Sequence, residues 1–227
     1  ARLMNAGFAN ELRVVAQEME FEMSLQQLEH CPVQATIPEL FFSRDLLGYG
    51  WVLRKGNYLN IGLGREDKAK LSTQVKGFCE YLSAQGKIPQ GIEYKFNGHA
   101  YLLYPHAARE LVGDNLLLVG DAAGLAYAKS GEGIRPAVES GLLAAAVIRN
   151  CNGDYSKKKL ALYRSNIQLR FGQRAPERER TGGIALLIKK AMAHQLLQMR
   201  WFIKNMVIDR WFLQTQQKRL ADVSERR

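Results

Sequence analysis

The sequence predicts an α+β fold with an α/β component: an antiparallel sheet, then a strand–turn–helix, then a helical C-terminal segment. Three observations support this prediction. Apolar and polar residues alternate over residues 17–23, which is the period of a strand with one solvated face. Two further strand patterns flank a short turn within residues 49–64. An apolar run at residues 116–119 predicts a buried central strand, and several glycines and a long helical pattern that begins at Ile134 follow it.

The first half of the chain contains the elements of the predicted sheet. Residues 17–23 place Met and Phe side chains on one face and three glutamates on the other, although the helix preference of Glu, Met and Gln leaves a helix as the alternative. The Lys-Gly-Asn turn at residues 55–57 indicates a hairpin. An apolar stripe predicts a helix over residues 66–85, and strand character resumes over residues 92–103.

The stretch from Gly120 to Ile134 has the residue types of a ligand-binding turn. Gly120 ends the apolar run and Asp121 follows directly, so a carboxylate can accept hydrogen bonds from sugar or polyol hydroxyls. Gly124 lets a ligand approach the main chain closely. The Gly-Glu-Gly sequence at residues 131–133 precedes a helix, whose amino end offers free N–H groups and partial positive charge.

The helix after this turn is predicted to cover residues 134–149. Apolar residues at spacings of three and four share one of its faces: Ile134, Val138, Leu142, Ala145 and Ile148. From spacing alone the whole stretch has two interpretations. It is either a ligand site at a strand end and a helix start, or a strand–turn–helix whose glycines serve only as turns.

The net charge of +10 is concentrated in the last part of the chain. Residues 151–227 hold 17 Lys or Arg and 6 Asp or Glu, whereas residues 1–150 are close to neutral. Within this part, residues 184–213 form an amphipathic segment with the apolar stripe Ile188, Met192, Leu196, Met199, Ile203 and Met206. The simplest interpretation is a helix that covers the core, and the alternative is a helix on an anionic membrane surface. No nucleic-acid-reading motif accompanies the charge, so nucleic acid is not predicted as a partner.

Cysteine and histidine usage predicts neither a disulfide nor a metal site. Cys31, Cys79 and Cys151 are scattered, and no histidine pair has ligand spacing. Free thiols indicate a reducing compartment, so we expect a cytoplasmic protein, with peripheral membrane contact through residues 151–227 as the alternative. No apolar run is long enough to span a bilayer, and the first residues lack the features of a signal peptide.

Two short motifs carry a resemblance to a known family. Leu118-Val-Gly-Asp-Ala-Ala-Gly124 followed by Ser130-Gly-Glu-Gly-Ile134 resembles the second flavin motif of FAD-dependent oxidoreductases with the hydroxybenzoate-hydroxylase fold. The Gly-Glu-Gly-Ile form, with Glu139-Ser-Gly141 beyond it, is most similar to the geranylgeranyl reductase family. The resemblance implies that Asp121 binds the ribityl chain of FAD and that residues 131–134 lie beside the isoalloxazine ring. The cofactor-binding residues that it implies are Gly120, Asp121, Ala122, Ala123, Gly124, Gly131, Glu132, Gly133 and Ile134.

The hairpin carries a second part of the resemblance. Residues 49–64 are similar to the substrate-pocket motif of geranylgeranyl reductases, in which Tyr, Trp, Phe-Pro-Lys and Gly-x-Gly follow one another. Leu53 and Arg54 stand in place of the family's Phe-Pro pair, which alters the shape of the implied pocket. The substrate-binding residues that the resemblance implies are Tyr49, Trp51, Lys55, Gly62, Gly64, Tyr104 and Pro105. The alternative is a hairpin whose aromatic residues belong to the core.

The resemblance divides the chain into four regions. Residues 1–13 would end the first FAD-domain segment, residues 14–105 would form the substrate-binding sheet domain, residues 106–150 would return to the FAD domain, and residues 151–227 would form the basic helical region. The Gly-x-Gly-x-x-Gly fingerprint of a complete FAD protein of this family is absent from the sequence. We therefore expect a fragment that covers the C-terminal half to two thirds of a family member and that does not bind FAD tightly by itself.

The activity that the resemblance implies is reduction of C=C bonds in an isoprenoid or other apolar substrate by hydride transfer from reduced FAD. NAD(P)H and ferredoxin are both open as electron donors. His99 and His106 lie near the expected ring, but a packing or surface role is simpler and no catalytic residue is assigned. Two alternatives remain: a flavin-dependent aromatic monooxygenase of the same fold, and a non-catalytic membrane-surface binding module.

Overall fold

The computed structural model describes residues 13–67, 71–107, 109–174 and 191–220. The chain divides into two compact units, of which the first comprises residues 13–100 and the second begins at Tyr101. Predictions for residues 1–12 and 175–190, which include part of the C-terminal amphipathic segment, lie outside the described residues. The four functional regions inferred from the resemblance stay predictions.

The first unit is built on a five-stranded sheet with the strand order β2-β3-β4-β1-β5. The strands are β1 (Arg13–Glu22), β2 (Glu39–Phe42), β3 (Gly48–Lys55), β4 (Tyr58–Arg65) and β5 (Asn97–Leu102), whose end belongs to the second unit. The pairs β1–β4, β2–β3 and β3–β4 are antiparallel. The turn between β3 and β4 uses Gly56 at a φ of 61°, a conformation that favours glycine. The strand predicted at residues 17–23 and the hairpin are therefore confirmed.

One face of this sheet forms the core of the unit. Helix α1 (Leu25–Glu29) lies after β1, and helix α2 (Leu71–Ala84) buries Val75, Cys79 and Leu82. These α2 side chains pack with the alternate strand residues Met19, Val52, Leu59 and Ile61. The other face carries Glu18 and Glu20, as the alternation in the sequence predicts. Because α2 covers one face, the other face is left for polar and aromatic side chains.

The strand predicted over residues 92–103 begins later than expected. Strand pairing starts only at Asn97. Ile92 and Phe96 instead pack against the core of the first unit, and the rings of Tyr94 and Phe96 stack with centroids 6.2 Å apart. The aromatic spacing thus reflects side-chain packing rather than a hydrogen-bonded ladder, so the first half of this prediction is wrong.

The second unit packs two helices against short strands and turns. Its elements are a 3-10 turn (Tyr104–His106), β6 (Val112–Gly113), β7 (Leu116–Leu117), a second 3-10 turn (Gly120–Ala123), α3 (Ile134–Arg149) and α4 (Lys157–Phe171). Helix α4 buries Leu160, Tyr163 and Ile167. The Tyr163 hydroxyl donates to the Leu118 carbonyl at 2.8 Å. Helix α4 therefore holds the segment that leads into the Gly120–Ala123 turn.

The apolar run before Gly120 is a shorter strand than the sequence predicts. Only Leu116 and Leu117 pair, and their partner is the two-residue strand β6. Leu118 is buried, but Val119 is 38% exposed. Within the described ranges this run is therefore not a central strand with apolar neighbours on both faces. Among the described residues of the second unit, parallel pairing is limited to one isolated bridge, between Leu103 and Ala126.

Helix α3 spans the predicted residues, but its apolar stripe is not its buried face. Ile134 is 79% exposed and Val138 is 59% exposed. The buried side chains of α3 are Pro136, Glu139, Ser140, Ala144 and Val147. Hydrogen bonds satisfy the polar members of this set, which removes most of the cost of burying them. These polar contacts, rather than hydrophobicity alone, determine which face of α3 is buried.

The long helix predicted over residues 184–213 is interrupted in its described part. Residues 191–196 are helical, Met199 is extended, and a single helical turn (Arg200–Phe202) leads into a π-helix (Ile203–Phe212). A π-helix has wider turns than an α-helix, so a spacing of three and four no longer places residues on one face. The predicted stripe is therefore wrong as a single surface. Val207, which is not part of it, is the buried residue of the π-helix.

The described residues contain no helix that is both long and apolar enough to cross a bilayer. In the same ranges no group of His, Cys, Asp and Glu side chains could hold a metal ion. All three cysteines are described and all are free. Burial raises the pKa of the Cys79 thiol to about 11, so this group stays protonated at neutral pH.

Candidate functional site

The turn after β7 presents the carboxylate of Asp121 beside the start of α3. The Asp121 side chain is exposed, and within the described part of the chain its carboxylate accepts no hydrogen bond. The Oδ1 atom of Asp121 lies 3.2 Å from the position that a β-carbon would take on Gly133. The chain therefore brings Asp121 and the Gly-Glu-Gly sequence of residues 131–133 together within one unit.

Close packing accounts for two glycines of this turn. A β-carbon on Gly124 would lie 2.6 Å from the β-carbon of Ala107, and one on Gly131 would lie 2.5 Å from the Tyr101 hydroxyl. Both glycines also have positive φ, which L side chains rarely adopt. Their presence is thus required by the fold of the turn whether or not a ligand binds there.

The amino end of α3 is already partly used by the chain itself. The Oε1 atom of Glu132 accepts the N–H of Arg135 at 2.9 Å. Pro136 has no N–H group, and the N–H of Ala137 donates to the Gly133 carbonyl at 2.9 Å. The helix therefore offers fewer free donors than the sequence suggests. The other oxygen of Glu132 is buried and accepts no hydrogen bond in the described structure.

Ser140 fixes the turn from the side of α3. This fully buried hydroxyl accepts the N–H of Gly120 at 3.0 Å and donates to the carbonyl of Ala137 at 3.0 Å. Ser140 belongs to the sequence motif that carries the family resemblance, but the resemblance implies no role for it. A serine in the middle of a helix gives no pattern that predicts such a contact, because its partner is distant in sequence.

Glu139 forms a buried ion-pair network next to Ser140. Its carboxylate accepts hydrogen bonds from Arg135 at 2.9 Å and from Arg170 at 2.7 Å. Burial by itself would raise the pKa of Glu139, but the hydrogen bonds from both arginines outweigh burial and hold this pKa below its ordinary value of 4.5. The same arginines donate to the carbonyls of Leu213 at 2.9 Å and Lys218 at 2.6 Å. The network thus fastens the segment of residues 213–218 to α3 and α4.

Tyr127 adds a further link to this segment. Its hydroxyl donates to the side chain of Gln217 at 3.0 Å, and its main chain closes the loop through hydrogen bonds with Gly131 and Glu132. Burial raises the pKa of Tyr127 to about 12. The loop that contains the Gly-Glu-Gly sequence is therefore held in place from the C-terminal side of the chain.

The predicted substrate residues Tyr104 and Pro105 belong to the second unit. Tyr104 is 4% exposed, and its hydroxyl donates to the Gly172 carbonyl at 2.6 Å. Its ring packs against Phe171 at a centroid distance of 5.7 Å and against the guanidinium of Arg174 at 5.1 Å. Core packing therefore uses the whole Tyr104 side chain, whereas Pro105 is half-buried.

The other predicted substrate residues share the face of the first unit's sheet that lies opposite α2. In the register of β3 and β4, Tyr49 faces Gly64 and Trp51 faces Gly62. The ring centroids of Tyr49 and Trp51 are 6.0 Å apart, and Phe42 lies 5.8 Å from Tyr49. These three rings form an aromatic row across β2 and β3, and all three are half-buried.

Two polar residues of this face, Asn60 and Glu20, were not predicted from the sequence as part of the site. The Trp51 indole N–H donates to Oδ1 of Asn60 at 2.7 Å, and the Asn60 amide donates to Glu20 at 3.2 Å. Lys55 donates to the same oxygen of Glu20 at 2.8 Å. The only sequence signal for Asn60 was its position two residues before Gly62, on the same face of a strand.

The predicted histidines fall in different units. His99 is an exposed residue of β5 in the first unit, and His106 is a half-buried residue of the 3-10 turn in the second unit. Neither gains a catalytic assignment from these positions.

Comparison with solved structures supports the fold class. The chain matches the crystal structure of a geranylgeranyl bacteriochlorophyll reductase-like protein from Thermoplasma acidophilum with a TM-score of 0.55 and 20% identity, over 86% of this chain and 46% of that one. At this identity the match concerns the fold alone. The predicted α+β fold is confirmed. No protein-family profile matches the chain.

Comparison with curated proteins identifies the family. Digeranylgeranylglycerophospholipid reductase 2 of Methanosphaera stadtmanae is 31% identical over 158 residues, which are 67% of this chain and 39% of that protein. The digeranylgeranylglycerophospholipid reductase of Methanocaldococcus jannaschii is 32% identical over 151 residues, 63% of this chain and 37% of that protein. The chain thus spans about two fifths of the length of these relatives. Over that span it belongs to the geranylgeranyl reductase family, as the motifs predicted.

Proposed function

We propose that this chain is part of an FAD-dependent reductase that saturates C=C bonds of an isoprenoid or another apolar substrate. The named relatives are reductases, which supports the reaction class. The cofactor, the substrate and the activity of the whole protein are our inference. NAD(P)H and ferredoxin stay open as electron donors.

The observation that carries this proposal is the exposed Asp121 carboxylate, which has no hydrogen-bond partner in the described ranges and lies against Gly133. An ionised carboxylate accepts strong hydrogen bonds from hydroxyl groups, and the ribityl chain of a flavin presents several. A side chain at Gly133 would crowd that carboxylate, so glycine leaves its position undisturbed. The exposed carboxylate and the glycine beside it therefore support a flavin as the ligand of this turn.

The other residues have supporting roles in this proposal. Ser140 holds Gly120 and so orients the Asp121 carboxylate, while Glu132 caps α3 and keeps the Gly-Glu-Gly loop in place. The aromatic row that contains Tyr49 and Trp51 offers an apolar surface for a prenyl chain. When bound, the reduced flavin supplies the hydride, and the chain supplies orientation and a water-poor surface.

Equilibrium titration with FAD tests the cofactor assignment. The purified chain should bind FAD measurably at concentrations up to about 1 mM, where binding is worth about −4 kcal/mol, and Asp121→Ala should weaken binding by about tenfold because charge-assisted hydrogen bonds are lost. Asp114→Asn is the matched control, since Asp114 is an exposed turn aspartate that caps Lys157 and Asn preserves that contact. Equal affinities for the wild-type chain and Asp121→Ala, or no binding by either, would contradict the assignment.

Anaerobic incubation separates the reductase from the monooxygenase alternative. We expect that dithionite-reduced FAD, the chain and a prenyl alcohol yield a product that has gained hydrogen at a double bond without oxygen present. A product that forms only with oxygen and carries a new hydroxyl group would instead identify a monooxygenase.

We further propose that the described C-terminal segment contacts an anionic membrane surface. Met192 is 58% exposed, Met199 is 52% exposed and Trp201 is 65% exposed, and the exposed cations Arg200 and Lys204 lie among them. Apolar side chains with interspersed cations are typical of interfacial segments. The chain should sediment with vesicles that contain phosphatidylglycerol, less so at high salt, and Trp201→Ser should reduce this binding. The proposal would be contradicted if the chain sedimented equally with neutral and anionic vesicles, or if it sedimented with neither.

A further inference from the structure

The contacts of Asn60 have only one consistent direction. An indole N–H can only donate and an ionised carboxylate can only accept. The side-chain oxygen of Asn60 must therefore face Trp51, at 2.7 Å, and its amino group must face Glu20, at 3.2 Å. Lys55, which can only donate, completes this series of hydrogen bonds at the same Glu20 oxygen. Each member thus fixes the orientation of the next.

Trp51 also packs directly against the main chain of β4 at Gly62. A β-carbon on Gly62 would lie 2.1 Å from Cζ2 and 2.5 Å from Cε2 of the indole. The ring therefore lies directly across Gly62, at a distance that no larger residue allows. Contact with Gly62 sets how close the indole comes to the sheet, and the hydrogen bond to Asn60 sets its rotation.

The hydrogen bonds of this series contribute unequally to holding the indole. Asn60 is 93% buried, being 7% exposed, and a hydrogen bond between buried groups is costly to break. The Lys55–Glu20 pair is largely exposed, with side chains 61% and 41% accessible, and such pairs contribute little by themselves. The hydrogen bond from Lys55 lowers the pKa of Glu20, which favours the ionised carboxylate that accepts from Asn60.

We propose that Asn60 and Glu20 are positioning residues for the substrate, and that they hold the Trp51 indole as a fixed wall for a prenyl chain. This inference rests on the proposed function, in which the face with Tyr49 and Trp51 binds the apolar substrate. Neither residue need touch the substrate. Their effect passes through the orientation of one aromatic ring, so they determine how well a flexible chain of isoprene units is held.

The test uses nuclear magnetic resonance of the indole N–H groups in the whole chain, with geranylgeraniol as the probe. Trp51→Phe assigns the Trp51 signal. Asn60→Leu removes the acceptor at similar volume, and Glu20→Leu removes the support of Asn60 at an exposed position, so it tests the same link without a core substitution. Glu20→Gln keeps an oxygen that can accept both hydrogen bonds. Glu22→Ala is the control, because Glu22 lies on the same strand and face but bonds to Asn57 instead.

We expect geranylgeraniol to shift the Trp51 signal of the wild-type chain. Asn60→Leu should speed hydrogen exchange of the Trp51 indole and weaken geranylgeraniol binding, each by about tenfold, as the loss of a buried hydrogen bond implies. Glu20→Leu should show smaller changes in the same direction, while Glu20→Gln and Glu22→Ala should resemble the wild type.

The outcomes separate the two proposals. If geranylgeraniol leaves the Trp51 signal unchanged in the wild-type chain, the substrate face itself is wrong, and this inference falls with it. If geranylgeraniol shifts the signal but binds Asn60→Leu and Glu20→Leu as tightly as the wild type, the substrate face stands and the positioning role is overturned.

Discussion

The carboxylate of Asp121 lies beside Gly133, since its Oδ1 atom is 3.2 Å from the place that a β-carbon would take on Gly133. The two residues are separated by a loop that includes Gly124 and Gly131, both at positive φ. Neither contacts the other through a hydrogen bond within the described structure. The loop thus places the exposed Asp121 carboxylate beside Gly133, a residue without a side chain. The flavin proposal depends on this arrangement.

Gly133→Ala should reduce FAD affinity without unfolding the chain. Gly133 has a φ of −119° and a ψ of −15°, outside the positive-φ region that L side chains rarely adopt, so the free energy of unfolding should change by less than about 1 kcal/mol. The new methyl group should push the Asp121 carboxylate aside by a few tenths of an ångström, and FAD binding should weaken by about tenfold. Equilibrium titration and urea denaturation measure the two effects.

Gly141→Ala is the control for this substitution. Gly141 lies within α3, and a β-carbon there would meet nothing within 4 Å. Alanine should therefore stabilise the helix by up to about 1 kcal/mol and leave FAD affinity unchanged. Equal loss of FAD binding in both variants would show that the helix, and not the contact with Asp121, is responsible.

Glu139→Gln should destabilise the second unit strongly. Arg170 has a side chain that is only 6% exposed, and the substitution leaves it without a compensating charge. Removal of one member of a buried ion pair costs about 3 kcal/mol or more. Urea denaturation should show this loss, whereas Glu110→Gln, which breaks the exposed pair of Glu110 with Arg164, should cost less than about 1 kcal/mol.

The pH dependence of Glu139→Gln should also differ from that of the wild type. The pKa of Glu139 is lower in the folded chain than its ordinary value of 4.5, so the folded state binds fewer protons than the unfolded state. Glu139 therefore contributes stability that is present above pH 4.5 and is lost as the pH falls through the lower folded-state pKa. Denaturation below pH 4.5 should show a smaller loss for Glu139→Gln, and an identical loss would contradict the role of this network.

Tyr163→Phe should cost about 1–2 kcal/mol of stability at neutral pH, because the Leu118 carbonyl loses a buried donor. Burial raises the pKa of Tyr163 to about 12 from an ordinary value of 10.0. The phenol therefore contributes stability that is present below pH 10 and is lost as the pH rises toward 12. Denaturation across this interval should be flatter for Tyr163→Phe. The exposed residue Tyr155 provides the control, since Tyr155→Phe should leave the stability at neutral pH unchanged.

The sequence correctly predicted strands in which buried and solvated side chains alternate. The alternation in β1 and the turn at Gly56 depend on neighbours in sequence, so local patterns sufficed. The end of the run at Val119 and the buried face of α3 were not predictable in this way. They depend on Tyr163 and Ser140, whose partners are 45 and 20 residues away.

The candidate site shows the same limit. The resemblance selected Trp51 and Gly62, and the structure places the indole across that glycine. Asn60 and Glu20 escaped notice because asparagine and glutamate are common on strands that face solvent, and only the register of β1, β3 and β4 joins them. The prediction of one apolar stripe assumed α-helical spacing, and it failed because residues Ile203–Phe212 form a π-helix.

The most direct test of the central claim compares two flavin ligands with and without the Asp121 carboxylate. Riboflavin carries the ribityl chain, whereas lumiflavin has the same ring and a methyl group in its place. If Asp121 binds ribityl hydroxyls, Asp121→Ala should weaken riboflavin binding by about tenfold and leave lumiflavin binding unchanged. Equal losses for both ligands, or none for riboflavin, would contradict the claim that this carboxylate holds the ribityl chain of a flavin.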